Sequence, residues 1–298
     1  MVHHEACPLC SSRQTGLKFR CRDHFVSGSE FPVFQCLSCG FSFTQDYPEE
    51  NEIGNFYESD DYISHNDTAP GFSNKLYRIA RRMMLKRKKN LVNKITKLNR
   101  GTILDIGSGT GYFANVMQES GWKARGIEIN EKARSFSAER FGLEVIAPDK
   151  IRELESASFD CITLWHVLEH FHDPNGYISE VRRLLKPGSF CIIALPNSGS
   201  SDARHYGKFW AAWDVPRHLW HFNPETFRVF SDKAGLTTEG TKILPLDVFY
   251  ISSLSEKYRG SALPFITGMA RAFFFFAATC FNSSRSSSVI YILKKPLD

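Results

Sequence analysis

Residues 104–112 read LDIGSGTGY, an apolar stretch that runs into three glycines at alternate positions. The apolar half predicts a buried strand, and the residues after Gly111 predict the start of a helix. Glycines between a strand and a helix let a ligand approach the backbone closely. Glu128 follows Gly107 by twenty-one residues, at the end of the next predicted strand, where a carboxylate can bind both ribose hydroxyls. The pattern therefore predicts a nucleoside site.

The spacing of the glycines discriminates between nucleoside ligands. A dinucleotide site has a third glycine at the sixth position, so that helix and strand can pack around a pyrophosphate. Tyr112 occupies that position here, and Asp105 lies two residues before Gly107. A carboxylate at that place suits a cationic ligand. We therefore expect S-adenosylmethionine (SAM), which carries a sulfonium and an amino-acid tail but no pyrophosphate.

Short apolar strands alternate with helical stretches from residue 102 to 196. This alternation predicts an α/β fold, in which a doubly wound, Rossmann-like sheet carries helices on both faces. A basic amphipathic helix is expected over 74–98, either as a solvated face or as an anion-binding or membrane-binding one. An antiparallel strand pair, formed by 236–250 and 287–294, is expected to end the sheet.

Four stretches together resemble class I SAM-dependent methyltransferases. They are LDIGSGTGYF at 104–113, FDCITLWHVLEH at 159–170, LLKPG at 184–188 and ALPN at 194–197. The sequence is similar to the ubiquinone-biosynthesis-type O-methyltransferases and their relatives. The resemblance implies SAM as the co-substrate. It implies that one group of residues contacts the methionine part of SAM: Asp105, Gly107, Ser108, Gly109 and Gly111. It also implies that Glu128 binds the ribose, that Ile129 lies beside the adenine and that Asp149 lies near the adenine amino group.

The segments after the fourth and fifth strands should flank the transferred methyl group, because ligands lie beyond the carboxyl ends of parallel strands. They contain His166, His218 and His221, which are our candidate catalytic bases, since imidazole can accept a proton at neutral pH. If the segment is helical, His166, Glu169 and His170 share one face, where a divalent metal could bind. The ubiquinone-type relatives often read Glu-x-x-Glu-His here, and His166 replaces the first glutamate.

Four of the eight cysteines form two Cys-x-x-Cys pairs, Cys7 with Cys10 and Cys36 with Cys39, separated by 25 residues. Two such knuckles suit one tetrahedral zinc ion. In so small a module a structural Zn²⁺ is favoured over a redox pair, and Cys21 is not an expected ligand. The unpaired cysteines and the absence of a secretory signal predict a cytoplasmic protein.

Residues 262–281 read ALPFITGMARAFFFFAATCF, in which Arg271 is the single charge. A central arginine costs a membrane span about 2.5–3.5 kcal/mol, so a transmembrane helix is not expected. We expect an insertion over about 251–285 that packs on the sheet. A lid that meets a membrane or a lipophilic acceptor is the alternative.

The expected domains are a zinc ribbon at 1–45, a connector at 46–73 and a methyltransferase domain at 74–298. The expected partner is a small, lipophilic or aromatic acceptor, and oxygen is the preferred site of methylation. A net charge of +5 does not call for nucleic acid, and peripheral membrane contact is left open. Two alternatives are methylation of RNA or protein docked on the ribbon and basic helix, and a non-catalytic SAM-binding regulator. Connector residues Phe56, Tyr57, Asp61 and Tyr62 are expected to help the ribbon cover the pocket.

Overall fold

A computed structural model describes residues 1–57 and 72–297. Asp61 and Tyr62, which were expected to cover the pocket, lie outside these residues. The strands are β1 (Thr15–Arg22), β2 (Glu30–Cys36), β3 (Ser42–Thr44), β4 (Thr102–Ile106), β5 (Lys123–Ile127), β6 (Glu144–Ile146), β7 (Phe159–Trp165), β8 (Leu185–Pro196), β9 (Trp220–His221), β10 (Thr237–Ile243) and β11 (Ser288–Lys294). The α-helices are α1 (Phe72–Thr96), α2 (Tyr112–Glu119), α3 (Glu131–Phe141), α4 (Pro174–Leu184), α5 (Ser201–Tyr206), α6 (Pro224–Lys233), α7 (Asp247–Tyr258) and α8 (Pro264–Phe281).

A seven-stranded sheet in the order β10-β11-β8-β7-β4-β5-β6 forms the centre of the molecule. Strands β4 to β8 pair in parallel, and β11 runs antiparallel to both of its neighbours. The predicted doubly wound α/β fold and its closing antiparallel pair are therefore confirmed. The chain winds one way from β4 and the other way from β7, so the switch point lies between these two strands, where ligands bind in such sheets.

The central strands are apolar because helices cover both of their faces. Ile103 and Leu104 of β4 and Ile162 and Leu164 of β7 are at most 1% exposed. Burial of each such side chain contributes about 1.5–3 kcal/mol. The predicted basic helix is α1, and its buried Val92 packs in the cluster that lies over β4. Helix α1 also contacts β7 and β8, so it packs against the central strands.

A second sheet, β1-β2-β3-β9, joins the N-terminal segment to the rest of the chain. Phe43 of β3 pairs with Trp220 of β9, so the fourth strand comes from the middle of the sequence. Phe41 and Phe43 share one buried core with Trp220 and Phe222. Residues on both sides of the predicted boundary at residue 45 therefore contribute to this sheet and to its core.

The insertion is a pair of packed helices, α7 and α8, between β10 and β11. It begins at Asp247, earlier than expected, because β10 ends at Ile243 and Pro245 has no backbone N–H for the sheet. Gly268 lets α8 approach closely, since a Cβ there would lie 2.5 Å from the Ser253 Cα. Among the described residues, none of the helices combines the length and the apolarity that a bilayer span requires.

Candidate functional site

The loop between β4 and α2 holds its glycines in left-handed conformations. Gly107 and Gly111 have φ values of 71° and 78°, which residues with a side chain rarely adopt. A Cβ on Gly107 would lie 2.3 Å from Val167, and one on Gly111 would lie 2.7 Å from the Ser137 hydroxyl. A Cβ on Gly109 would meet nothing within 4 Å in the described part of the chain. The loop is thus packed at both ends and open at Gly109, where a ligand can approach.

Glu128 lies beside this opening, at the end of β5. Its carboxylate accepts hydrogen bonds from the backbone N–H of Gly109, at 2.8 Å, and of Asn130, at 2.9 Å. The next residue, Ile129, is 80% exposed at the rim. Asp149 is exposed in a 3₁₀ turn that follows β6. The structure thus brings Glu128 to the loop and leaves Ile129 and Asp149 at its edge.

Asp105 forms the floor of the site, at the end of β4. Its carboxylate is buried and accepts a 2.6 Å hydrogen bond from the Thr163 hydroxyl. Burial raises the pKa of Asp105 to about 6, although the Thr163 hydroxyl and the Lys88 ammonium oppose this. Its charge therefore changes near neutrality. The Ser108 hydroxyl, also buried, has no hydrogen-bond partner among the described residues.

Lys88 of α1 is a site residue that the sequence analysis missed. Its Nζ lies 4.3 Å from the ring centroid of Trp165 and 5.9 Å from that of Phe113. Burial lowers the pKa of Lys88, while the carboxylates of Asp105 and Asp247 act in the opposite direction. The sequence does contain an indication, since Lys88 falls four residues before Val92 in the apolar face of a basic helix.

His166 follows β7 with a φ of 58°. Its Nε2 lies 3.0 Å from an Asp247 carboxylate oxygen, and its Nδ1 lies 3.5 Å from a Glu169 oxygen. Burial lowers the pKa of His166, but hydrogen bonds and charge from Asp247 and Glu169 outweigh it and raise the pKa to about 10. The ring is therefore cationic at neutral pH, and the predicted general-base role does not fit His166 in this state.

Glu169, His170 and His218 each offer a ligand atom within 4.8 Å of the others. His170 Nδ1 lies 3.0 Å from the Arg217 carbonyl, and His218 Nδ1 lies 2.9 Å from the Ala212 carbonyl. A carbonyl only accepts, so Nδ1 of His218 carries the proton and its Nε2 keeps a lone pair. His170 Nδ1 also lies 2.9 Å from the Tyr57 hydroxyl, which can donate or accept. Both Glu169 oxygens are buried, and one of them lies 3.5 Å from Nδ1 of the cationic His166 ring. Two imidazoles and a carboxylate are a chemically suitable set for a divalent cation.

His221 lies outside this cluster, in β9. Its ring is 4% exposed, its Nε2 lies 3.0 Å from the Thr44 hydroxyl, and it packs edge-on against Trp213. Burial and the nearby His218 and Lys18 lower the pKa of His221 well below its ordinary value. The structure therefore gives His221 a packing role between the N-terminal sheet and the larger domain, and does not support it as a base.

A buried ion network holds the loop that carries His218. The guanidinium of Arg217, 2% exposed, donates to Asp214 at 2.6 Å, to Asp23 at 3.1 Å and to the Phe56 carbonyl at 3.0 Å. Asp23 belongs to the N-terminal segment, between β1 and β2. The N-terminal segment therefore helps to position the histidine cluster. No short sequence motif predicts the contact between Arg217 and Asp23, because the two residues are distant in sequence.

The four predicted metal-binding cysteines meet at one point. The Sγ atoms of Cys7 and Cys39 are 3.7 Å apart, those of Cys10 and Cys36 are 3.6 Å apart, and all four lie within 4.8 Å. A tetrahedral zinc site with Zn–S bonds of about 2.3 Å has edges of about 3.8 Å. Burial raises the pKa of Cys7 and raises that of Cys39 to about 11. At Cys36, burial is outweighed by the backbone N–H groups of Cys39 and Ser38, which lower the pKa of Cys36 to about 7. The cluster thus fits a thiolate-bound zinc ion.

The fold and the glycine loop define a class, namely Rossmann-like proteins that bind a nucleoside at the switch point of the sheet. The methyltransferase-domain family matches residues 77–240, which is more than half of the chain. The chain therefore belongs to this family of class I SAM-dependent methyltransferases.

Curated relatives include ubiquinone biosynthesis O-methyltransferases. The one from Burkholderia vietnamiensis is 32% identical over 101 residues, which cover 32% of this chain and 44% of the relative. The one from Idiomarina loihiensis is 29% identical over 166 residues, which cover 50% and 68%. The match thus spans less than half of the Burkholderia enzyme.

Solved structures share the fold at low sequence identity. Magnesium protoporphyrin IX methyltransferase from Synechocystis, solved with bound SAH, superposes with a TM-score of 0.54 at 13% identity, covering 83% of this chain and 100% of that chain. The cyclase SpnF superposes with a TM-score of 0.51 at 20% identity, covering 71% and 81%. These similarities show the fold alone, because one fold can host different chemistries.

Proposed function

We propose that this protein transfers the methyl group of SAM to an oxygen atom of a small, lipophilic acceptor. The observation that carries the proposal is that the open glycine loop follows β4 while Glu169 and His170 follow β7, the neighbouring strand of the same sheet. His218 offers a ligand atom within 4.8 Å of those two residues. Donor and acceptor sites of a methyltransferase must meet in this way, since holding the two reactants in line supplies much of the rate.

For the donor, the residues suit the separate parts of SAM. Glu128 would take the ribose hydroxyls and Ile129 would flank the adenine, with Asp149 near its amino group. Asp105 lies where an anion would face the cationic methionine part of SAM. Lys88, packed on Trp165, would pair with the SAM carboxylate. The loop residues Gly107, Ser108, Gly109 and Gly111 would contact the ligand through the backbone.

For the acceptor, His218 is the candidate base that the structure supports. Its Nδ1–H donates to the Ala212 carbonyl, which leaves Nε2 able to take a hydroxyl proton as the methyl group arrives. The ring of His170 lies 4.6 Å away and is neutral, because burial and His218 lower its pKa to about 4. If Glu169, His170 and His218 hold a divalent metal, the ion would polarise an acceptor oxygen.

The activity can be tested with radiolabelled SAM and a lipid extract from a strain that lacks the gene. We expect label in a chloroform-soluble product and a rate about 100-fold lower for His218→Asn, with SAM affinity unchanged. His221→Asn, a matched change in the packed histidine, should keep the SAM affinity and most of the rate if the protein remains folded. Label in RNA or protein would instead favour macromolecular methylation, and no transfer to any fraction would favour a regulatory SAM-binding protein.

SAM binding should depend on pH through Asp105. The carboxyl is protonated below its pKa of about 6 and ionised above it, so affinity for the cationic ligand should rise between about pH 5 and pH 7. Calorimetry across this range measures the effect. Asp105→Asn should bind SAM weakly at every pH and lose this rise. An unchanged pH profile in the variant would show that Asp105 is not the titrating group.

We also propose that Cys7, Cys10, Cys36 and Cys39 bind a structural Zn²⁺. The support is that the four sulfurs lie within 4.8 Å of one another, together with a core shared between the cysteine knuckles and the methyltransferase domain. In this arrangement the zinc ion would stabilise the N-terminal sheet. Asp23, between β1 and β2 of that sheet, forms an ion pair with Arg217.

A further inference from the structure

Helix α8 is apolar on both of its long sides. The inner side contains Gly268, Ala272 and Phe275, which are buried, and it packs against α7 and its neighbours. The outer side carries large apolar side chains that are 59–73% exposed. A helix that is apolar all round is normally covered on every side. We call the exposed set the apolar stripe: Leu263, Phe265, Ile266, Phe273 and Phe274.

The charges that flank the apolar stripe along the chain are all of one sign. The sequence contains no aspartate or glutamate from Lys257 to Leu297. Lys257 and Arg259 are exposed just before the stripe, and Arg285 is exposed just after α8. Arg271 is partly exposed but adds no net charge to this surface, because its Nε lies 2.8 Å from the buried carboxylate of Glu256. The stripe is therefore neutral and is flanked by cations at both ends.

These features select one kind of partner. A second copy of the same helix would bring like charges together, since the segment has no acidic residue to pair with its cations. A role as a lid over the site would use the inner side of α8, which is already packed. An exposed apolar helix face with aromatic rings, flanked by lysine and arginine, is suited to the interface of an anionic bilayer. We propose that α7 and α8 dock this protein on membranes that contain anionic lipid.

The same hairpin contributes to the candidate site. Helix α7 begins at Asp247, whose carboxylate lies 3.0 Å from His166. Docking through the apolar stripe would therefore hold the acceptor side of the site near the lipid surface. The proposal concerns the surface of the hairpin and holds whichever acceptor the enzyme methylates.

The test is co-sedimentation of the zinc-loaded, full-length protein with vesicles of phosphatidylcholine, with and without phosphatidylglycerol. We expect binding to the anionic vesicles, at least about tenfold weaker binding to the neutral ones, and a further loss at high salt. Phe273→Ser/Phe274→Ser should weaken binding to anionic vesicles at least about tenfold. Leu17→Ser/Leu37→Ser, a matched pair of exposed apolar residues in the N-terminal segment, should leave it unchanged.

Calorimetry with SAM on all variants shows that each is folded, and it separates this test from that of methyl transfer. Equal binding to anionic vesicles by the Phe273→Ser/Phe274→Ser variant and the wild type would overturn the proposal. Failure of the wild type to bind both kinds of vesicle would also overturn it. So would a wild-type dimer in sedimentation velocity that Phe273→Ser/Phe274→Ser converts to a monomer, because the stripe would then be an interface between copies of the chain.

Discussion

Glu128→Ala should reduce the affinity for SAM by at least about 100-fold. The carboxylate would hydrogen-bond both ribose hydroxyls, and each bond to a charged group contributes about 1.5–3 kcal/mol. The same carboxylate also binds the backbone N–H groups of Gly109 and Asn130, so its loss frees the loop as well as the ligand. Titration calorimetry with SAM and with its demethylated product measures the change.

Two further variants make the Glu128 result specific. Glu139→Ala removes an exposed carboxylate from the following helix and should leave the SAM affinity unchanged. Glu128→Gln keeps one acceptor oxygen and should fall between the wild type and Glu128→Ala. The assignment fails if Glu128→Ala binds SAM within threefold of the wild type, about 0.7 kcal/mol. The assignment of Glu128 to the SAM ribose also fails if the wild type binds NAD but does not bind SAM.

Loss of the four-cysteine site should have the largest effect on the thermal stability of the protein. We expect one zinc ion per chain, and none in Cys36→Ser/Cys39→Ser. Binding of structural zinc contributes about 10–16 kcal/mol in isolated fingers, so the midpoint of thermal unfolding should fall by at least about 10 °C. The effect should reach the whole protein, because Phe43 pairs with Trp220 across the two parts of the chain.

Elemental analysis and calorimetric unfolding, each repeated after chelation, measure the effect of the zinc site. Cys21→Ser is the matched control, since the Cys21 thiol is buried next to the Lys208 carbonyl and apart from the four-cysteine cluster. It should retain the zinc. A zinc-free wild type of unchanged stability would show that the pairs have another role, such as redox chemistry.

The sequence predicted those features that depend on residues close together along the chain. The glycine loop is recognisable because its conformation needs positive φ values at fixed positions, and Glu128 is recognisable because it ends the very next strand. The cysteine knuckles are equally local. The alternation of short strands and helices gave the parallel sheet, and with it the expectation that acceptor residues follow β7.

The roles of the histidines could not be read in this way. His166, His218 and His221 look equivalent in sequence, but their partners differ. His166 is cationic because Asp247, from the distant insertion, lies against it, and His221 is packed against Thr44 of the N-terminal sheet. His218, by contrast, donates from Nδ1 to the Ala212 carbonyl and so keeps a lone pair on Nε2.

The sequence by itself determined the class of fold, the glycine loop and the two cysteine pairs, since each is encoded by spacing within one or two neighbouring elements. Tertiary structure alone decided which partners each histidine has, that Lys88 packs on Trp165 and Asp23 pairs with Arg217, and which side of α8 is exposed. Proton affinity and burial depend on groups that the fold brings together from far along the chain, and local patterns carry no record of those neighbours.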